Sequence, residues 1–275
     1  MKKNLDTATV ASFGDEWSRF DQSGMDDAEA QEIFNDYFAV FPWYALPADP
    51  IGFDMGCGSG RWARLMAPRV GHLHCIDPSS ALDVARRTLA SNRNVSFHQT
   101  SVEDSTLAPA TQDFGYSLGV LHHIPDTSAA MRSCVALLKP GAPFQVYLYY
   151  AFDNRSPAFR FAWRLSDMLR RAIRRLPSPA KHAVTDVLAL LIYWPLARAS
   201  RILEAMGLDV SNIPLSYYRS RSFYTMRTDS RDRFGTPLEK RFTKIQIQRM
   251  MEEAGLRDIR FSETAPFWCA VGIKA

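Results

Sequence analysis

The sequence predicts an α/β fold in which helices cover both faces of a mostly parallel sheet, and two features of the chain lead to this prediction. First, from residue 50 onward short apolar stretches alternate with helical ones, as expected when helical crossovers join parallel strands. Second, the last two apolar stretches, residues 256–262 and 267–273, are separated by only about four residues. Because this link is too short for a helix, these two strands are expected to pair antiparallel.

The elements of this core follow from apolar runs and from the residues that bound them. Strands are predicted at residues 51–55, 72–76, 94–99, 113–118 and 144–150. Helices are predicted at 61–66, 80–90 and 126–139, and the last of these ends at Lys139-Pro-Gly141, which stops a helix. Thr243 and Gln246 have the spacing of a capping box, which predicts a final helix that begins there and ends at Gly255.

Two further segments flank this core, which we assign to residues 49–151 and 237–275. Residues 1–48 are rich in aromatic side chains and are predicted to form an N-terminal helical cap. Residues 152–236 interrupt the alternation of strands and helices and contain five prolines. We expect them to form a helical insertion that serves as a substrate lid.

Composition and charge exclude several classes of protein. The net charge is +4, and the four cysteines form no C-x-x-C pair, which favours free thiols in a reducing compartment. No metal is expected, because only His122 and His123 are adjacent and neighbouring residues rarely share one ion. The longest apolar run, residues 187–197, contains Pro195 and is shorter than the roughly 20 residues that cross a membrane. With a polar N-terminus, the chain is expected in the cytoplasm.

A glycine-rich turn follows the first strand, in the segment Asp54-Met-Gly-Cys-Gly-Ser-Gly60. Glycines allow the backbone to approach a ligand closely, and the exposed N–H groups at the start of a helix can bind a carboxylate or a phosphate. Asp77 ends the second strand, 17 residues after Gly60. At that position an acid can accept hydrogen bonds from both hydroxyls of a ribose. The pattern predicts a cofactor with an adenosine end.

Several interpretations of this turn remain open on spacing alone. Dinucleotide sites use G-x-G-x-x-G, whereas this chain has G-x-G-x-G with Asp54 two residues before the first glycine. An acid there suits the ammonium group of a methionine moiety and would repel a pyrophosphate. An NAD-dependent oxidoreductase, a non-catalytic cofactor-binding protein, and a turn that only joins sheet to helix are the alternatives.

Taken together, the motifs resemble those of a known family. The segment from Asp54 to Gly60, Asp77, and Leu121-His-His-Ile-Pro-Asp126 followed by Leu138-Lys-Pro-Gly141 are similar, in this order, to the motifs of small-molecule class I S-adenosylmethionine-dependent methyltransferases. The resemblance covers roughly residues 50–150 and 237–275. It implies a Rossmann-like three-layer α/β/α fold whose seven-stranded mixed sheet has the order 3-2-1-4-5-7-6, with the last strand antiparallel. It also implies S-adenosyl-L-methionine as the cofactor.

The resemblance assigns parts of the cofactor to particular residues. Asp54 and the Gly56–Gly60 loop are implied to hold the methionine part, and Asp77 the ribose. After the third strand, Ser101 stands where similar enzymes carry an acid, and Val102 offers a backbone N–H to the adenine. The predicted cofactor contacts are Trp17, Asp54, Gly56, Cys57, Gly58, Gly60, Asp77, Pro78, Ser101, Val102, Leu118 and Gly119. Trp17 belongs to residues 13–17, which either close over the cofactor or dock as a helix by aromatic burial.

The reaction expected is methyl transfer to a small-molecule acceptor. The protein must mainly position the nucleophile and exclude water, and an oxygen nucleophile gains from a general base with a pKa near neutrality. His122 and His123 follow the fourth strand and are the candidates. Since in similar enzymes the first histidine of such a pair is sometimes the proposed base, we favour His122. A structural role for both histidines is the alternative.

The acceptor is expected to meet the aromatic and polar residues that follow the fifth strand and precede the last helix. The predicted contacts are Tyr150, Tyr218, Tyr224 and Arg227. Oxygen is the favoured methyl acceptor, on a molecule that is hydrophobic or lipid-linked, and methylation of nitrogen or carbon in a small metabolite is the alternative. Methylation of nucleic-acid bases is disfavoured, because residues 117–120 lack the Asn/Asp-Pro-Pro-Tyr motif and Cys134 does not follow a proline.

A basic amphipathic helix is predicted within the insertion. Apolar residues between Phe161 and Leu176 share one helical face, and Arg160, Arg164, Arg171 and Arg175 form a stripe along its side. This pattern fits a lid helix with a solvated basic face. It also fits peripheral contact with an anionic membrane or an acidic carrier. Nucleic acid is disfavoured because few aromatic residues lie on the basic face.

Overall fold

The computed structural model describes residues 4–275, and its central element is a sheet of seven strands. The strands are β1 (Ile51–Met55), β2 (His72–Ile76), β3 (Val95–His98), β4 (Phe114–Leu118), β5 (Pro143–Tyr147), β6 (Leu256–Phe261) and β7 (Cys269–Lys274). Their order is β3-β2-β1-β4-β5-β7-β6, which confirms the predicted topology. β1 to β5 are parallel, whereas β7 runs antiparallel to both β5 and β6.

One predicted strand is too long. The fifth strand was expected to cover residues 144–150, but β5 ends at Tyr147. Beyond it the chain leaves β7 and pairs with residues near the last helix: the Phe242 N–H donates to the Tyr149 carbonyl, and the Ala151 N–H donates to the Phe242 carbonyl, both at 2.9 Å. Residues 148–150 are apolar and aromatic, which suits a strand as well as this connection to Phe242. Composition alone therefore did not locate the end of the strand.

Two glycines let the central strands interlock. In the register of β1 and β4, Gly52 lies opposite Phe114, and Phe53 lies opposite Gly115. A methyl group at Gly52 would come within 2.3 Å of the Phe114 ring, and one at Gly115 within 2.2 Å of the Phe53 ring. Each phenyl ring therefore fills the space that the missing side chain leaves on the neighbouring strand.

Helices cover both faces of the sheet, which gives the expected three layers. They are α1 (Thr7–Arg19), α2 (Asp27–Tyr37), α3 (Ala63–Met66), α4 (Ala81–Thr88), α5 (Thr127–Ala136) and α10 (Lys244–Glu253). One core joins the sheet to α5 and α10 through residues such as Phe144, Met131 and Met251. The other contains Phe34 and Phe38 from the aromatic N-terminal segment.

The local signals for helix ends hold at several positions. Asp126 caps α5 by accepting a hydrogen bond from the Ala129 N–H, and Thr243 and Gln246 form the predicted capping box of α10. The helix after the glycine turn was predicted from residue 61, but α3 begins at Ala63 and contains only 4 residues. Pro68 stands just after it and cannot donate the hydrogen bond that would continue the α-helix.

The described residues form two compact units. One, which we call the sheet unit, comprises residues 4–21, 31–151 and 238–275. The other, the helical unit, comprises residues 22–30 and 152–237. The helical unit contains α6 (Pro157–Ile173), α7 (Ser178–Leu188), α8 (Trp194–Ala205) and α9 (Phe223–Gly235). Its core is built on Ile173, Tyr193, Ala197, Met226 and Phe234.

We expect Gly115→Ala to destabilise the protein by roughly 2 to 3 kcal/mol, because the added methyl group would overlap the fully buried Phe53 ring. Urea unfolding followed by circular dichroism would measure the change. Gly141→Ala is the matched control, since nothing lies within 4 Å of its added methyl group and only its left-handed backbone costs energy. Equal losses in the two variants would contradict the interlocking of the strands.

Candidate functional site

The glycine turn is tied to the end of β2 by backbone hydrogen bonds. The N–H groups of Gly56 and Cys57 both donate to the Ile76 carbonyl, at 2.7 and 3.1 Å. Gly56 has a φ of +82°, and a methyl group there would come within 2.4 Å of the Val120 side chain. Both the backbone conformation and the space available therefore require glycine at this position.

Asp77 is the acid that this arrangement fixes. Its Oδ2 accepts a hydrogen bond from the Gly58 N–H at 2.9 Å, and its Oδ1 accepts from the Ser79 N–H at 2.8 Å and the Ser79 hydroxyl at 2.6 Å. Burial raises the pKa of Asp77, and the hydrogen bonds from Ser79 and Gly58 oppose that rise. The carboxyl group is thus held in one orientation at the end of β2.

Asp54 is buried near the end of β1, two residues before the turn. Burial raises its pKa to about 8, with a further rise from the nearby Asp77 charge, while the Tyr116 phenol opposes the shift. Its Oδ2 has no hydrogen-bond partner among residues 4–275. A buried carboxyl group with an unsatisfied oxygen favours a cationic or hydrogen-bond-donating ligand group nearby.

A cavity of about 950 Å³, including its open side, lies over the turn. Its walls are formed by α1, by the glycine turn, and by the chain after β2, β3 and β4. Ten predicted cofactor contacts line it: Trp17, Gly56, Cys57, Gly58, Asp77, Pro78, Ser101, Val102, Leu118 and Gly119.

The two remaining predicted contacts do not line this cavity. Asp54 is buried in β1. Gly60 faces α4 instead, since a methyl group there would come within 3.3 Å of Ala85 and 3.2 Å of Leu89. Gly60 therefore permits close packing between the turn and a helix. The spacing of the glycines alone does not distinguish this role from contact with a ligand.

The N-terminal helix forms one wall. Asp6, Val10, Phe13 and Trp17 line the cavity and recur every three or four residues, which places them on one face of the helical segment. Only Trp17 and its neighbour Phe13 were singled out from the sequence. Asp6 and Val10 could have been identified from the same helical spacing.

Arg61 is a further cavity residue that the sequence analysis did not identify. Its guanidinium lies 4.1 Å from the Trp62 ring centre and 5.8 Å from that of Trp17. Trp17 in turn covers the turn, because a methyl group on Gly58 would lie only 3.1 Å from its Nε1. The two indole rings hold a cation at the cavity wall, where it can attract a ligand carboxylate.

Ser101 lies on the wall, but its hydroxyl is used within its own loop. It donates to Asp104 Oδ2 at 2.9 Å and accepts from the Asp104 N–H at 3.3 Å. The hydroxyl is therefore engaged as a loop cap, and Val102 beside it supplies the apolar part of this wall.

The two histidines occupy different environments. His123 lines the cavity, and its Nδ1 lies 2.6 Å from the Leu238 carbonyl oxygen. Because a carbonyl only accepts, Nδ1 of the neutral ring carries the proton and Nε2 keeps its lone pair. Nε2 has no hydrogen-bond partner within residues 4–275. The sequence offers no sign of this contact, since 115 positions separate the two residues.

His122 is fully buried and does not line the cavity. Its ring lies 4.0 Å from those of both His123 and Tyr149. Burial, and then the charges of His123 and Arg241, lower its pKa well below the usual range. Neither ring nitrogen has a hydrogen-bond partner among the described residues.

The predicted acceptor contacts are engaged elsewhere. Tyr150 packs on Phe267 in the sheet unit. In the helical unit, Tyr218 is hydrogen-bonded to the buried Asp229, and both Asp186 oxygens pair with Arg227 at 3.0 Å. The Tyr224 hydroxyl accepts from the Gln22 N–H at 2.9 Å. Contact of these four residues with an acceptor stays a prediction.

Comparison with known proteins adds an independent line of evidence. The model of the family described as "Methyltransferase domain" matches residues 53–146. The chain is 33% identical over 181 residues to a protein of Xanthomonas euvesicatoria named ubiquinone biosynthesis O-methyltransferase, which covers 64% of this chain and 71% of the relative. A protein of the same name from Xanthomonas campestris is 32% identical over 190 residues, covering 67% of this chain and 74% of the relative.

Solved structures share the fold. Human N-acetylserotonin methyltransferase in complex with S-adenosylmethionine has a TM-score of 0.50 and 15% identity, covering 88% of this chain and 51% of that one. An O-methyltransferase family protein from Burkholderia thailandensis has a TM-score of 0.52 and 12% identity, covering 90% of this chain and 56% of that one.

We expect His122→Phe to remove part of the acid sensitivity of the protein. In the unfolded chain this histidine takes up a proton as the pH falls below about 6.5, whereas the folded protein keeps it neutral. The stability of the wild type therefore falls below that pH, by up to about 1.4 kcal/mol per pH unit from this group. Urea unfolding at pH 7, 6 and 5 measures the difference. An unchanged slope in the variant would mean that His122 titrates alike in the folded and unfolded chains, which would contradict the lowered pKa.

Proposed function

Because this chain belongs to the class I S-adenosylmethionine-dependent methyltransferases, we propose that its acceptor is a hydrophobic small molecule whose hydroxyl is deprotonated by His123. The relatives reported above are named O-methyltransferases. The chain is an enzyme for O-methylation of a small molecule, and S-adenosylmethionine supplies an already activated methyl group on a sulfonium. The protein must therefore orient the two molecules, exclude water and accept one proton.

The residues of the cavity fit this cofactor. The fixed carboxyl group of Asp77 suits the two hydroxyls of a ribose. The unsatisfied oxygen of Asp54 favours a cationic amino group near the turn, and Arg61 offers a positive charge to a carboxylate. Val102 lies on the wall assigned to the adenine.

The observation that carries the catalytic proposal is the hydrogen bond between His123 Nδ1 and the Leu238 carbonyl. This contact fixes the tautomer in which Nε2 keeps its lone pair, and no hydrogen bond within residues 4–275 uses that lone pair. The Phe13 ring lies against His123 with its centre 4.9 Å away, which helps to exclude water from the base. An available base favours a hydroxyl acceptor over alternatives that need no deprotonation. The role of base thus falls to His123 and not to His122, the residue favoured from the sequence.

The proposed class of acceptor is supported by the names of the relatives and by the apolar side chains on the wall of the cavity. The relatives are named for ubiquinone biosynthesis, and the cavity wall includes the apolar side chains of Leu5, Val10, Phe13 and Ile124. A phenol carried on a hydrophobic or lipid-linked molecule fits both observations. We further propose that the arginine stripe formed by Arg160, Arg164, Arg171 and Arg175 contacts an anionic surface, so that a cytoplasmic protein meets such acceptors at the membrane.

We expect Asp77→Asn to weaken the binding of S-adenosylhomocysteine by roughly tenfold or more, since charge-assisted hydrogen bonds and the fixed Gly58 contact are lost together. Isothermal titration calorimetry gives the dissociation constant. Asp83→Asn, an exposed acid in α4, is the control and should leave it unchanged. Wild-type affinity in Asp77→Asn would contradict the assignment of the ribose.

We expect His123→Ala to lower turnover of a phenolic acceptor by roughly a hundredfold or more at pH 7, while the affinity for S-adenosylhomocysteine changes little. Added imidazole should restore part of the activity, because it replaces the missing base. Steady-state kinetics with labelled S-adenosylmethionine provides the measurement.

His122→Phe is the matched control for this experiment. It changes the adjacent buried ring and should keep most of the turnover. If turnover is lost in the His122 variant and retained in the His123 variant, the assignment of the base is wrong and His122 holds that role.

A further inference from the structure

The helical unit exposes an unusual amount of apolar surface. Of the large hydrophobic side chains that are exposed among the described residues, all but Tyr44, Ile51 and Ile245 belong to it. A soluble protein rarely leaves such side chains contiguous unless another surface covers them. Their arrangement on α6, α7 and α8 indicates what kind of surface that is.

Helix α6 has three distinct sides. Phe161, Leu165 and Met168 are 63%, 54% and 67% exposed, whereas Ile173 is buried in the core of the helical unit. The apolar face predicted from the sequence is therefore divided, and its larger part points outward. At 100° per residue, the stripe from Arg160 to Arg175 borders this exposed apolar part on one side.

Helices α7 and α8 form one long helix, joined by a π-helical turn at Ala189–Tyr193. Pro195 cannot donate a backbone hydrogen bond to Leu191, which accounts for the wider turn. Thr185, Ala189 and Tyr193 are buried on one side of the long helix, and Leu190, Leu191 and Trp194 are 54%, 66% and 46% exposed on the other. The helix thus presents a second apolar stripe.

A groove joins the exposed apolar part of α6 to the apolar stripe of the long helix. It measures about 680 Å³ including its open side, and it is lined by side chains such as Trp163 of α6 and Leu188 of α7. Leu169, Ile192 and Leu196 line the groove and are themselves exposed. The exposed apolar surface therefore continues from α6 to the long helix. We call it the apolar face of the helical unit.

The unpaired charges along α6, beside the apolar face, are of one sign. Arg160, Arg164 and Arg175 form no ion pair with any residue between 4 and 275. The only acid of α6, Asp167, is already paired with Arg170 and Arg171 at 3.0 Å. A second copy of the chain would bring the same arginines and no matching acidic stripe, so the complementary surface must be both apolar and anionic.

We propose that the apolar face of the helical unit docks onto an anionic lipid bilayer, with the exposed side chains of α6 and of the long helix inserted among the acyl chains and the arginine stripe on the headgroups. Burying exposed leucine and phenylalanine side chains provides the hydrophobic part of binding, and each arginine near the headgroups adds an electrostatic part. Trp194 lies in the exposed stripe, as is typical of tryptophan at a membrane interface.

The long helix lies on the membrane rather than crossing it. In the part of the chain that the structure describes, Ser178–Ala205 is one helix with the length and composition to cross a membrane. One of its sides is packed within the helical unit, however, and Asp186 on α7 pairs with Arg227 on α9. Only the other side is available to lipid, as for a helix at the interface.

This inference rests on the proposed contact of the arginine stripe and adds insertion of the apolar face, so two variants of the full chain test the two parts. Sedimentation with phosphatidylcholine vesicles, with or without about 30% phosphatidylglycerol, measures binding. We expect the wild type to bind the anionic vesicles. Arg160→Glu with Arg164→Glu should weaken this binding by roughly tenfold or more, and so should Leu190→Gln with Leu191→Gln, whose side chains are exposed.

Arg249→Glu with Arg257→Glu is the matched control, because it makes the same charge change at exposed arginines of the sheet unit. Binding like that of the wild type in this control supports the proposal, and equal loss overturns it. If only the leucine variant binds normally, insertion is wrong and the electrostatic contact remains. If only the arginine variant binds normally, the proposed contact of the arginine stripe with the headgroups is wrong. Absence of wild-type binding, or dimers in sedimentation velocity that the leucine variant abolishes, overturns both.

Discussion

The hydrogen bonds between the ends of β1 and β2 are the constraint on which the rest of the site depends. The turn after β1 donates twice to the Ile76 carbonyl and once to the Asp77 carboxyl group. These three bonds fix the turn against the next strand, and Asp77 is fixed in the same step. The cavity floor thus follows from backbone pairing, and side chains such as Trp17 only have to cover a surface that is already formed.

The parts of the molecule that sequence predicts well are those that depend on local patterns. The antiparallel ending follows from a link too short for a helix, whereas the strand order was implied by the family resemblance that the motifs carry. The residues that line the cavity after β1, β2 and β3 follow from their position at strand ends. Contacts between distant segments could not be predicted in this way, and the pairing of Phe242 with the chain after β5 is one of them.

Amphipathic periodicity shows a different limit of prediction. A helical pattern tells which residues share a side, but it does not tell whether that side faces protein or solvent. In α6, Phe161 and Ile173 were assigned to one face, yet the first is exposed and the second is buried. A helix with both an inner and an outer apolar side carries two overlapping patterns, and the spacing of its apolar residues alone cannot separate them.

The two histidines show how adjacent residues of one type acquire different roles. They lie in a 3₁₀ turn, Leu121–His123, in which successive side chains point about 120° apart. Only one of them can face the cavity, and the Leu238 carbonyl holds that one by its Nδ1. The other must enter the core, where burial keeps it neutral and where its ring packs between His123 and Tyr149. The neutral His122 ring packs against His123 and restricts its movement without adding charge. His122 therefore stabilises the geometry that we propose for the base, His123.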